Sequence, residues 1–255
     1  MSRRFCTVVT SLAMLAVFAA HRAAAEDRMS LPSSRPGITV AIWFQAAASP
    51  VASVVLFAGG NGAIDGLSGN FLIRVRGSFA AQAINVAAID RPSDRAIADR
   101  LYRAGTDAAT DLAAVIAFLK QKAPVPVWLV GTSNGSISAA NGAARLGPAQ
   151  VSGLVLTSSV WQGGMQQVPL ASIAVPTLVV HNRDDSCRVS PPGAAEPALA
   201  SMTRAPVKEL VLVSGGSLQG DPCEARSPHG YFGIENQVVP VIIQWIKAHA
   251  PSTAR

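Results

Sequence analysis

A doubly wound α/β architecture, a mostly parallel sheet with helices on both faces, follows from two properties of this 255-residue chain. Short, almost wholly apolar runs alternate with helical segments, and a Gly-rich serine pentapeptide sits where one such run meets a helix. Strands that are apolar on both sides belong to parallel sheets covered on both faces. In such sheets functional groups collect at the carboxyl ends of the strands.

Taken in order, Ile38 to Phe44, Val54 to Phe57, Ile84 to Ile89, Val127 to Val130, Gly153 to Thr157, Pro176 to Val180 and Leu210 to Val213 read as strands. Between several of them the spacing predicts helices over Phe71 to Ala83, Asp107 to Lys122 behind a Thr106 cap, Asn134 to Leu146, Ala194 to Met202 and Ile234 to Ala248. The stretch from Thr157 to Pro176 is too short to hold a large lid.

The N-terminus reads as a signal peptide. Met1-Ser2-Arg3-Arg4 is a charged n-region, Val8 to Ala20 an apolar h-region, and Ala23-Ala24-Ala25 a small-residue cleavage site, with cleavage expected after Ala25. Residues 26–255 then form a single domain, exported to a periplasmic or extracellular compartment by the general or the twin-arginine route. The h-region is too short to span a membrane, and no later run approaches the roughly 18 apolar residues a spanning helix needs. Residues 1–25 carry three arginines and no acid, so the formal charge falls from +6 to +3 on cleavage. With no basic stripe in the remainder, a nucleic-acid partner is not expected.

The pentapeptide Gly131-Thr132-Ser133-Asn134-Gly135 follows the strand Val127 to Val130 and opens a helix. A serine hydroxyl is a poor nucleophile, and a chain that lifts one onto a sharp strand-to-helix turn points to covalent catalysis. Upstream, the strand ending at Phe57 runs into Ala58-Gly59-Gly60-Asn61-Gly62, where bare amides can approach a ligand. The N–H of Gly60 together with that of Asn134 would hold the oxygen that becomes negative during acyl transfer. Downstream, the strand from Pro176 leads into His181-Asn182-Arg183-Asp184-Asp185, with Asp185 the better candidate to orient a histidine and Asp184 the better helix-capping residue. Of four histidines, His21 leaves with the leader, His249 sits near the C-terminus and His181 shares the aspartate segment, which leaves His229 in Ser227-Pro228-His229-Gly230-Tyr231 as the base.

These segments resemble the α/β-hydrolase family over nearly the whole mature chain. Gly131 to Gly135 is similar to its nucleophile elbow, Ala58 to Gly62 to its oxyanion segment with Ala58 where a histidine often stands, and His181 to Asp185 to its H-G-x-x-D turn with Asn182 in place of glycine. The order Ser133, Asp185, His229 is the family's order. The resemblance is nearest to the small, lidless, dienelactone-hydrolase-like members and implies a cofactor-free serine hydrolase acting on a small-molecule ester or lactone. A peptidase or amidase would share the machinery, and a non-catalytic envelope binding protein would share the fold.

Two cysteines, Cys187 and Cys223, remain after cleavage, an even number in an exported chain, so a disulfide is the first reading and two separate buried thiols the second. No Cys or His cluster has metal-ligand spacing. Trp161 and Met165, in the short segment before Pro176, are candidates to line the acyl pocket or to pack in the core. Arg91, Arg95, Arg100 and Arg103 follow a strand and could favour an anionic substrate, but Asp90, Asp94 and Asp99 interleave with them, so a solvated loop with local ion pairs is the first reading.

Overall fold

A computed structural model describes residues 26–65 and 69–250. The expected leader, residues 1–25, lies outside the described residues.

The described residues build one eight-stranded sheet. Its strands are β1 (Glu26–Pro32), β2 (Thr39–Gln45), β3 (Ala52–Phe57), β4 (Ile84–Pro92), β5 (Val127–Thr132), β6 (Gly153–Thr157), β7 (Thr177–Asn182) and β8 (Lys208–Val213), in the spatial order β1-β2-β4-β3-β5-β6-β7-β8. From β4 to β8 every neighbouring pair is parallel, whereas β1 and β2 join antiparallel at one edge. Every residue of β3, β5, β6 and β7 is buried, as the continuous apolar runs required. The edge strand β1 escapes the apolar reading because only Met29 and Leu31 are large and apolar, alternating with outward polar residues.

Helices α1 (Phe71–Ala80), α2 (Arg100–Ala104), α3 (Thr106–Lys122), α4 (Asn134–Gln150), α5 (Ala195–Ser201) and α6 (Glu235–His249) cover the sheet. One face packs against α3, α4 and α5 through Leu112, Ile116, Ile137, Ala140 and Leu199. The other packs against α1 and α6 through Phe71, Leu72, Phe79, Val238 and Ile242. Each face is a core in its own right, and at about 1.5–3 kcal/mol per fully buried Val, Leu, Ile or Phe side chain this burial is the main driving force for the fold.

Several helix ends differ from expectation. Thr106 is the first helical residue rather than the cap; Gly105 takes the cap position and makes no side-chain cap bond. α4 breaks at Gly147, whose φ of 61° ends the regular turn before Pro148. The Asp90 to Arg103 stretch is not simply a solvated loop, since it contains β4's end and all but the last residue of α2.

The winding sense fixes where a site can form. β3 leads into α1 on one face, while β5 leads into α4 on the other. The loops leaving two adjacent strands therefore diverge, and a crevice opens at their carboxyl ends.

Candidate active site

Ser133 occupies that crevice. It bridges β5 and α4 with φ 52° and ψ −129°, a backbone conformation rare for any residue with a side chain. The flanking glycines make the turn possible. A Cβ on Gly131 would lie 2.4 Å from the carbonyl oxygen of Gly135, and one on Gly135 would lie 2.1 Å from that of Phe57. The strained serine is pinned by its own backbone: its amide donates to Thr157 (3.2 Å), and its carbonyl accepts from the Ser136 amide (2.9 Å) and hydroxyl (2.6 Å).

Asp185 stands just past the carboxyl end of β7 and His229 in the loop after β8, within a short 3-10 turn, Pro228–Gly230. The His229 ring donates from Nδ1 to Asp185 Oδ2 at 2.8 Å, because a carboxylate only accepts. That hydrogen bond puts a proton on Nδ1, so in the neutral ring Nε2 is the nitrogen that carries the lone pair. Among the described residues Nε2 has no hydrogen-bond partner. Both side chains are almost fully buried.

Asp185 is held from three directions. Oδ1 accepts from the Cys187 amide at 2.9 Å and Oδ2 from His229 at 2.8 Å, while His181 Nε2 lies 3.4 Å from Oδ2. His181 donates from Nε2 to Ser190 O at 3.0 Å, so this histidine of the aspartate segment sits buried beside the acid. Burial pushes the Asp185 carboxyl up, but hydrogen bonds from His181, His229 and the Cys187 amide outweigh it and bring it down to about 2. Asp184 turns the other way, accepting from the Gly215 amide at 2.6 Å.

The loop carrying His229 is anchored by side chains of Tyr231, Ser227 and Asn182 whose hydrogen bonds were not legible in the sequence, and by the disulfide that was the first reading of the two cysteines. Tyr231 is fully buried in the left-handed region (φ 54°); its hydroxyl donates to Val180 O at the end of β7 and accepts from the Ser158 amide. Ser227 accepts from the His229 amide at 3.1 Å. Asn182 is a strand residue, not a left-handed one, so its value lies in its side chain, which donates to Pro228 O and Gly215 O and joins the acid turn to the histidine loop. Cys187 and Cys223 form a disulfide across the same gap, 36 residues apart in sequence.

Ser133, Asn134, Gly59, Gly60 and His229 line one cleft of about 610 Å³, with Cys223 at its margin. The Gly-rich loop closes its near wall as a turn, the Gly62 amide donating to Gly59 O at 3.0 Å. Asn134 braces that wall, its side-chain amide donating to Gly60 O at 3.1 Å and its Oδ1 accepting from Arg100 Nε at 3.0 Å. Arg100 itself lines the cleft, whereas Arg103 is buried behind the loop; of the expected local ion pairs, that of Arg91 with Asp90 is the one found among the described residues.

Trp161 and Met165 do not line this cleft. Both are buried in the core on the α4 face, and Trp161 stacks on His181 with ring centroids 6.5 Å apart. The crossing segment turns its large apolar groups inward because it lies directly over α4: a Cβ on Gly164 would sit 2.4 Å from Ile137 Cδ1. Asp185, Cys187 and His229 are close enough to suggest a metal site, but the Cys187 sulfur is committed to the disulfide and His229 Nδ1 to Asp185. That donor set does not suit a metal ion.

No protein-family profile and no curated protein matches the chain. Solved structures do. An esterase from Pyrococcus furiosus superposes with a TM-score of 0.67 at 13% identity, covering 88% of this chain and 93% of its own. A serine hydrolase without a lid from Xanthomonas campestris (TM-score 0.64, 15% identity, 90% and 97% covered) and a dienelactone hydrolase from Anabaena variabilis (0.65, 15%, 90% and 100%) superpose comparably. The chain has the α/β-hydrolase fold. Within that fold it is a lidless form, its β6 to β7 connection holding only two 3-10 turns, Met165–Gln167 and Leu170–Ser172.

Two outcomes follow from this geometry. The double substitution Cys187→Ser with Cys223→Ser is expected to lower stability by about 4 kcal/mol in denaturant titrations, the chain-entropy value for a loop of this length; an unchanged midpoint would show that the bridge constrains nothing. Asp185 is held below its free value of 3.8, so its contribution to stability is complete above that pH and is lost as pH falls through about 2. Melting temperature should therefore drop more steeply across that window in the native protein than in Asp185→Asn, and parallel curves would contradict the assignment.

Proposed function

We propose that this protein is an exported serine hydrolase that cleaves carboxylic esters or lactones of small molecules through an acyl-enzyme. The observation that carries this reading is the 2.8 Å hydrogen bond from His229 Nδ1 to Asp185, which leaves Nε2 unused in the cleft lined by the strained Ser133. Export rests on the n-region, h-region and Ala23 to Ala25 of the N-terminal segment. Among the described residues no helix is long and apolar enough to cross a membrane.

In this mechanism His229 Nε2 accepts the Ser133 hydroxyl proton as Oγ attacks the acyl carbon, and Asp185 stabilises the imidazolium that results. The oxygen of the tetrahedral intermediate takes hydrogen bonds from the Asn134 amide at the head of α4 and from an amide of the Gly59 to Asn61 turn, for which Gly60 was the sequence candidate. Collapse breaks the bond to the leaving alkoxide, which takes the proton from His229. Water then attacks the acyl-Ser133 ester, giving its proton to His229, and Ser133 leaves with that proton as the acid departs. Every group in the cycle returns to its starting protonation state, so no cofactor is needed.

The solved structures of this fold that superpose on the chain include proteins described as esterases and a dienelactone hydrolase, which favours esters and lactones over amides. The open cleft suits a soluble acyl substrate in place of one drawn from a lipid surface.

A chromogenic short-chain ester should give a burst of alcohol followed by steady turnover, and Ser133→Ala should reduce kcat by about 10⁴-fold or more with the fold intact. A folded native protein that hydrolyses no member of a panel of esters, lactones and anilides would overturn the reading; turnover confined to the anilides would reassign it to an amidase.

A further inference from the structure

Arg103, at the end of α2, is a buried arginine that the proposed mechanism does not use; it is 2% exposed and forms no ion pair among the described residues. All of its partners are uncharged. Nε donates to Ala98 O (2.7 Å), Nη1 to Ser138 Oγ on α4 (3.0 Å), and Nη2 to Ala58 O (3.2 Å) and Gly60 O (3.5 Å). Two of those acceptors belong to the Gly-rich loop that walls the cleft. A buried cation without a counter-ion is costly, and burial here pushes the guanidinium down to about 10, so it remains charged at neutral pH.

The loop is shaped around this group. A Cβ on Gly62 would lie 2.9 Å from Arg103 Nη2, and Gly62 itself has φ +89°, so both space and backbone demand glycine there. The Asn61 carbonyl accepts from the Ala98 amide at 2.9 Å, tying the loop to the segment that leads into α2.

We propose that Arg103 is a positioning residue for the oxyanion hole: by holding the carbonyl of Ala58 inward it turns the amide of Gly59, the loop residue packed against Ser133, toward the cleft, with a fixed positive charge behind it. The step from carbonyl to amide is elementary. The peptide bonds of the described residues contain no cis bond, and in a planar trans peptide C=O and N–H point in opposite directions. Gly59, Gly60 and Asn61 line the Ser133 cleft, whereas Ala58 borders with Arg103, Gly62 and Ser138 a separate void of about 30 Å³. A hydrogen bond to the Ala58 carbonyl also polarises the peptide and strengthens the Gly59 N–H as a donor. This places the loop's donor at Gly59 in place of Gly60.

The inference rests on the serine hydrolase reading, and the test separates the two. Steady-state kinetics on a short-chain chromogenic ester and inhibition by an aryl trifluoromethyl ketone, which forms a tetrahedral adduct on serine, would be measured for the native protein, Arg103→Met and Arg103→Lys. Arg103→Met should lower kcat by about 100-fold with KM within about twofold, and weaken the ketone in parallel, since removing one such donor costs 10²–10³ in kcat. Arg103→Lys, with the charge but not the fork, should recover part of the loss. If Arg103→Met does not fold, the Lys variant decides, its kcat and ketone affinity falling together at constant KM. Native activity with kcat within about threefold in the folded variants, or a kcat loss without weaker ketone binding, would overturn the role of Arg103 alone. A native protein inert to both reagents would overturn the parent reading instead.

Discussion

The hydrogen bond between His229 and Asp185 joins residues 44 positions apart, on two loops that approach one another beyond the carboxyl edge of the sheet. Much of the C-terminal third of the chain serves to keep it. The Cys187–Cys223 disulfide spans the two loops, the Asn182 side chain reaches from β7 to Pro228, and the Tyr231 hydroxyl reaches back to Val180 and Ser158. These restraints differ in kind. The disulfide limits the unfolded chain, whereas the buried hydrogen bonds lose the desolvation cost of an unmet partner if either end is removed.

The serine half of the cleft is organised differently. Ser133 sits between a strand and a helix that are both in the core, and its conformation is enforced by close backbone contacts at Gly131 and Gly135. The opposite wall is a loop, and a loop of glycines has little to hold it. The Asn134 side chain bonds to the Gly60 carbonyl and Arg103 to that of Ala58, and in the proposed mechanism these bonds hold the loop's amides in place. A rigid nucleophile and a rigid donor array are what electrostatic preorganisation requires, because donors already in place need no reorganisation as charge develops.

The parallel core was legible because burial on both faces forces unbroken apolar runs, as in Val54 to Phe57 and Val127 to Val130. Ser133, Asp185 and His229 were each located by a motif or by elimination, and the structure brings Asp185 against His229 and places Ser133 and His229 on one cleft. Trp161 and Met165 stood between pocket and core in the sequence because side-chain type says nothing about the direction a short crossing segment faces; they pack in the core. Arg103 was hidden for the opposite reason. Set among alternating charges, it reads as a surface residue, and only the tertiary arrangement supplies the carbonyls that bury it. Tyr231 carried one faint signal, its place two residues after His229, with nothing local to reveal partners at Ser158 and Val180.

The central claim is that Ser133 is a nucleophile activated through His229. Labelling with a fluorophosphonate, followed by peptide mass spectrometry, tests it most directly. The account predicts a single adduct on the peptide containing Ser133 in the native protein, and labelling slowed by orders of magnitude in a folded His229→Ala variant. An adduct on another residue, or labelling of His229→Ala at the native rate, would contradict it.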